Sequence, residues 1–213
     1  SAIQWYDFSK GWTFGDERLT DEARRLYHAG QSRTATHDWS ADKYLLVVVD
    51  EEQMGTFDPF TPPFGLSLIY RQREYLARAG IPWRIVLFSD LMQVPDLLDY
   101  RAMLFLNLFS LSDEKMAFLQ RKIMCDGRTV AFVGPVGIVG PRGVDAARTS
   151  ELLGWDVARS DLPPPLNATF AAGLTGVWEQ TAGLRVGISR PFPSVAVPTD
   201  VGNAQVLAVF TRT

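Results

Sequence analysis

The stretch Tyr44-Leu45-Leu46-Val47-Val48-Val49-Asp50 decides the fold. Six apolar residues run without interruption, the last three β-branched, and the run stops at three acids, Asp50, Glu51 and Glu52. Alternation of apolar and polar residues would mark a strand with one wet face. An unbroken run marks a strand buried on both faces, the signature of a parallel sheet covered by helices. Asp50 then falls at the carboxyl end of the strand, where open α/β sheets place their ligands.

Downstream of this run, Pro82 to Phe88, Ala102 to Asn107 and Arg128 to Val133 read as three more strands. Between them, Gly65 to Ala79 has helical spacing, with Leu66, Ile69, Tyr70, Arg73 and Leu76 near one face and Gly80 as the stop. Leu91 to Leu98 reads as a short helical piece that Ser89 or Asp90 caps. Ser110 to Glu114 supplies an N-cap and the acids of a first turn, and Met116, Leu119, Gln120 and Ile123 carry the stripe on to Asp126-Gly127. Strands alternating with helices predict a mostly parallel, flavodoxin-like sheet with helices on both faces, a three-layer α/β sandwich.

Gly134 to Gly143 has glycine at every third position but lacks the Lys-Ser/Thr of a phosphate loop, so it reads as a flexible surface loop. Beyond it, Gly154 to Val157, Leu184 to Ile188, Ser194 to Val197 and Gln205 to Phe210 look extended and predict an antiparallel extension of the main sheet. Between the first strand and the first crossover helix, Met54 to Phe64 interleaves Pro59, Pro62 and Pro63 with Phe57, Phe60 and Phe64. Proline at that density forbids helix interior and central strand. The expectation is an ordered loop over the sheet's carboxyl edge, its aromatics plugging the sheet end or lining a pocket.

Upstream, residues 1–42 form a segment of their own before the α/β domain at 43–213. Trp5-Tyr6-Asp7-Phe8 and Gly11-Trp12 are too aromatic for a solvated tail. Asp16 to Tyr27 predicts an amphipathic helix with Leu19, Ala23 and Leu26 on one side, and Ala29 to Asp42 a polar loop.

Composition narrows the function classes. At 213 residues and 46% hydrophobic the chain can bury one substantial core. A net charge of -3 with no basic cluster gives no electrostatic reason to expect nucleic acid. The longest apolar run is far below the roughly 18–20 residues that cross a bilayer. The N-terminus has charged and aromatic residues where a signal peptide has its apolar core, so a soluble, cytoplasmic protein is expected. Cys125 is the lone cysteine, which leaves no internal disulfide and no thiol cluster. His28 and His37 match no ligand spacing, and no metal or cofactor is expected.

Aligning the strand ends gathers Asp50, Glu51, Asp90 and Asn107 along one edge. Paired carboxylates there would hold a metal or share a proton, or would serve the fold by accepting loop and helix amides. In the similar sheet of class I glutamine amidotransferases, a nucleophilic cysteine stands at an elbow of the form Gly-x-Cys-x-Gly, with a later His-x-Glu to activate it. The corresponding elbow here reads Gly134-Pro135-Val136-Gly137, no histidine follows, and Cys125 lies at the end of the preceding helix with no base. No catalytic residue is assigned.

As an ordered set, several stretches resemble the C-terminal half of β-galactosidases of glycoside hydrolase family 42. They are Trp5-Tyr6-Asp7-Phe8 with Gly11-Trp12, a helix, Leu46 to Glu51, Arg78-Ala79-Gly80-Ile81-Pro82, Ser89-Asp90-Leu91, Leu104-Phe105-Leu106-Asn107 and Val130 to Gly137. The resemblance fades after Leu153. In that family an aromatic-acid segment closes the catalytic barrel and an amidotransferase-like trimerisation domain follows. The resemblance implies a non-catalytic accessory or assembly domain, with the remainder of a larger glycosidase-like chain as partner and with a homo-oligomer or a monomer as its own state. The family's catalytic glutamates lie on earlier barrel strands with no counterpart here, so Glu51 and Glu52 do not inherit those roles. Two alternatives stand beside this reading. One is a carbohydrate or small-ligand module using Trp5, Trp12 and the strand-end residues, since aromatic faces suit sugar C–H surfaces. The other is a hydrolase using the strand-end carboxylates.

Overall fold

The structure, a computed structural model, describes residues 16–36, 43–55, 69, 71–140, 142–160, 166–188, 195–199 and 208–212. Trp5, Trp12, His37, residues 56–68 with most of the proline-rich aromatic stretch, and Pro163 to Pro165 lie outside them. The chain divides into two units, Ser1–Asp42 and Lys43–Thr213.

The first unit contains helix α1, Glu17–Thr36. Asp16 caps it by accepting from Arg18 N at 2.9 Å, and surface pairs Asp21–Arg24 and Glu22–Arg25 brace the first turns. The polar loop predicted from Ala29 is still helical to Thr36. Nothing between Tyr27 and Thr36 stops a helix except Gly30, and one glycine costs only about 1 kcal/mol.

The second unit is built on a four-stranded, all-parallel sheet of β1 (Leu45–Val49), β2 (Trp83–Leu87), β3 (Ala102–Phe105) and β4 (Thr129–Phe132), in the order β2-β1-β3-β4. β1 is central. Val47 pairs in register with Ile85 on one side and Leu104 on the other. Its residues alternate between two apolar clusters: Leu46 and Val48 pack with Met103, Phe105, Leu119 and Ile123, and Val47 and Val49 with Ile69, Leu106 and Phe109. Both faces of the strand are therefore covered, which is what the unbroken apolar run requires. Each such side chain contributes about 1.5–3 kcal/mol of burial.

α2 (Gln72–Ala79) precedes β2 and ends at Gly80, whose φ of 68° is the left-handed stop expected from sequence. α3 (Phe88–Leu91) follows β2 without a loop. The helical piece predicted over Leu91 to Leu98 thus begins earlier, and only Leu97–Asp99 is helical beyond it. α4 (Asp113–Phe118) is capped by Ser112, whose Oγ accepts from Lys115 N at 3.1 Å. It runs into a π-helical turn, Leu119–Ile123, whose last carbonyls are met by Arg128: its guanidinium donates to Lys122 O at 2.9 Å and Ile123 O at 3.1 Å.

The stretch after β4 differs from the surface loop predicted there. Gly137 N donates to Leu108 O and Val139 N to Phe109 O, fastening it to the chain beyond β3, and Val136 is buried. The remainder forms a hairpin of β5 (Val139–Gly140) and β6 (Gly143–Val144). α5 (Ala147–Leu153) returns to it through Thr149, whose hydroxyl donates to Val136 O.

The predicted antiparallel extension of the main sheet is corrected. β7 (Val157–Ser160) pairs with β10 (Val195–Pro198), and β8 (Leu166–Phe170) lies between β9 (Arg185–Ile188) and β11 (Ala208–Arg212). Among the described residues these are separate antiparallel sheets, not hydrogen-bonded to β1–β4. The sequence shows that segments are extended, but edge-to-edge pairing leaves no local trace in it.

Candidate functional site

The carboxyl edge of the sheet is organised by the three acids that end β1. Asp50 and Asn107 leave the ends of β1 and β3 side by side, where the backbone ladder stops. Asp50 N donates to Asn107 Oδ1 at 2.7 Å, and Asn107 Nδ2 donates to Asp50 O at 2.8 Å. The side-chain amide thereby adds one more rung to the β1–β3 pairing. Both groups are buried, Asn107 at 0% exposure, so each of these bonds satisfies an otherwise stranded polar atom.

The Asp50 carboxylate is committed at both oxygens. Oδ1 accepts from Glu52 N at 3.2 Å, and Oδ2 accepts from Lys115 Nζ at 2.8 Å. Its side chain is 1% exposed against 14% for Lys115. Lys115 Nζ also donates to Glu52 Oε2 at 2.7 Å and lies 4.9 Å from the centroid of the Phe88 ring. Burial holds the Asp50 carboxyl above the ordinary carboxylate range, with Lys115 opposing it. Burial also works against the Lys115 ammonium, but its bonds to Asp50 and Glu52 outweigh that and hold its pKa above the usual lysine value.

Glu51 points to a different element. Its Oε2 accepts from Phe88 N at 3.1 Å and its Oε1 from Ser89 N at 3.2 Å, so one carboxylate caps α3 from the neighbouring strand. Burial raises its pKa, yet these bonds prevail and hold it below the ordinary glutamate value. The cap expected from Ser89 or Asp90 is corrected accordingly: both residues lie inside α3, which has no cap from its own sequence.

Of the four strand-end residues predicted from sequence, the structure joins Asp50 and Asn107 by hydrogen bonds, while Glu51, next to Asp50 in the chain, turns to α3. Asp90 is not hydrogen-bonded to them. It is exposed and lines an open cleft of about 540 Å³ along β2, together with Arg84, Ile85, Leu87 and Gln93. Trp5 and Trp12 lie outside the described residues. The sequence does not single out Lys115, and it offers Glu52 only as the third acid that ends the β1 run. The available signal was electrostatic: Lys115 is the third residue of a helix, where the macrodipole disfavours a cation, so its presence there called for an acid partner.

The elbow after β4 is exposed at Gly134 and buried at Val136 and Gly137. Gly134 has φ 84° and Gly137 φ 70°. A Cβ at 134 would stand 3.1 Å from Phe109 Cε1, and one at 137 would stand 2.9 Å from Leu111 Cδ1. Cys125 is half-buried, and its thiol contacts Asp126 Oδ2 at 3.5 Å. Among the described residues no group of three or more His, Cys, Asp or Glu is placed to hold a metal ion, and no helix is long and apolar enough to cross a membrane.

No protein-family model matches the chain, and no curated protein sequence matches it. Among solved structures it is similar to a β-galactosidase from Bifidobacterium adolescentis, with 15% identity over 81% of this chain and 78% of that chain and a TM-score of 0.38. The site, and not this likeness, carries the functional reading.

Proposed function

We propose that the chain is a non-catalytic accessory domain of a larger glycosidase-like protein, with an amidotransferase-like, flavodoxin-like α/β core. The strand order β2-β1-β3-β4 supports the flavodoxin-like assignment, in which the switch point for ligands falls between β1 and β3. The ordered motifs from Leu46 to Gly137 support the tie to glycosidases, and with it assembly with the rest of such a protein or with further copies of the chain.

One observation carries the non-catalytic reading: at that switch point the Asp50 carboxylate is buried and held at both oxygens by Glu52 N and Lys115 Nζ. A general acid or base must come within about 2.6–3.2 Å of a substrate proton. Both Asp50 oxygens are held by its own chain, and its side chain is 1% exposed. Glu51 is bound to two helix amides, and the elbow that bears the nucleophile in amidotransferases holds the buried Val136 between the exposed Gly134 and the buried Gly137.

The test is hydrolysis of aryl β-galactosides and related aryl glycosides by the purified chain. No turnover above buffer is expected. Turnover that disappears in Asp50→Asn would overturn the accessory reading in favour of carboxylate catalysis at the strand ends.

A further inference from the structure

The surroundings of Lys115 Nζ come from elements other than its own helix. Asp50 Oδ2 and Glu52 Oε2 belong to the turn after β1, and the Phe88 ring belongs to α3. Two carboxylate oxygens and one aromatic face form the acceptor set that suits an alkylammonium head. Two of these walls are fixed without help from the lysine: the Asn107 amide pins the Asp50 backbone and Glu52 N holds the second Asp50 oxygen, while Glu51 anchors Phe88; the Glu52 carboxylate, 71% exposed, is the movable third. Such support is what makes a recess keep its shape when its occupant is removed. Calcium or magnesium would need about six oxygen ligands, and an aromatic face supplies none.

We propose that this recess is a primary-ammonium site that the chain fills with its own Lys115, and that the filled recess closes the strand-end acids to outside cations. The proposal goes beyond the accessory reading, because it concerns what the recess binds and not what the domain serves. A domain with glycosidase activity could hold the same tethered ammonium, and an inactive one could lack it.

The experiment is thermal unfolding of the full chain in propylammonium chloride against sodium chloride at equal ionic strength, with n-propanol as the uncharged control. Propylammonium replaces what Lys115→Ala removes beyond Cβ. The wild type should show no difference between the salts. Lys115→Ala should melt lower and regain about 2 °C or more in propylammonium alone, the shift expected when a ligand binds only the native state. Asp50→Asn with Lys115→Ala relieves the unpaired buried carboxylate and should lose most of that response. A folded Lys115→Ala indifferent to the amine would overturn the proposal, as would a wild type that responds equally. A Lys115→Ala that stays unfolded with and without the amine would count equally against it, whereas folding only in the amine would support it.

Discussion

Three adjacent acids with the same chemistry do different work because the turn after β1 places each in a different setting, although Asp50 and Glu52 share Lys115. Asp50 enters the buried edge, Glu51 crosses to α3, and Glu52 stays at the surface, where its pair with Lys115 is worth about 0–1 kcal/mol. Their pH signatures should differ in sign. Glu51 has a lowered pKa, so its stabilisation is present above its unfolded value near 4.5 and is lost as pH falls through the folded value. Asp50 has a raised pKa, so its ionisation costs stability as pH rises from its unfolded value near 3.8 through the folded one. Urea unfolding between pH 3 and 7 should therefore show Glu51→Gln less stable than wild type at neutral pH by about 0.5–2 kcal/mol, the scale of a lost helix cap. The gap should close toward pH 3, and a gap that widens there would contradict the assignment. Amide acceptance by the strand-end acids is legible in the sequence, and Asp50 Oδ1 does accept from Glu52 N; their distant partners are not, because Glu51 and Phe88 are 37 positions apart and Asp50 and Lys115 are 65 apart. What the sequence did show was that acids end a buried strand, which located the site but not its partners.

At the scale of elements, the legible parts are those whose environment is written locally. β1 and β3 are apolar runs because helices or loops cover both their faces, and α4 announces itself through Ser112 and two first-turn acids. The sequence starts α3 too late because its cap comes from the turn after β1, and it joins the small antiparallel sheets to the main one because pairing is decided by tertiary contacts. The segment after β4 reads as a loop in sequence for a related reason. Its glycines look like flexibility in sequence but serve close packing in the fold, where Gly137 lies under Leu111 and beside Arg148. Gly137→Ala places a Cβ against a buried leucine at a positive φ. It should cost more than the roughly 1–2 kcal/mol of left-handed strain alone. Gly154→Ala, also at positive φ but with open space around it, should cost about that strain and no more. Equal losses in urea denaturation would show that the elbow is not packed as described.

At the scale of the whole α/β unit, the acids at the sheet's carboxyl edge tie β1 to β3, α3 and α4, and we propose that holding the unit together is their work. The order β2-β1-β3-β4 puts its switch point where sheets of this kind open to ligands, and here that point is closed by Asn107, Asp50 and Lys115. Removing Lys115 should leave a buried carboxylate without its cation, which costs about 3–5 kcal/mol, whereas removing both partners should restore much of the loss. The most direct measurement is a double-mutant cycle of Asp50→Asn and Lys115→Met by urea denaturation at pH 7. The two residues should be coupled by at least about 1 kcal/mol, with the double variant more stable than the sum of the single losses. Additive losses within about 0.5 kcal/mol, or an Asp50→Asn that leaves stability untouched while abolishing a measurable hydrolysis, would contradict the account.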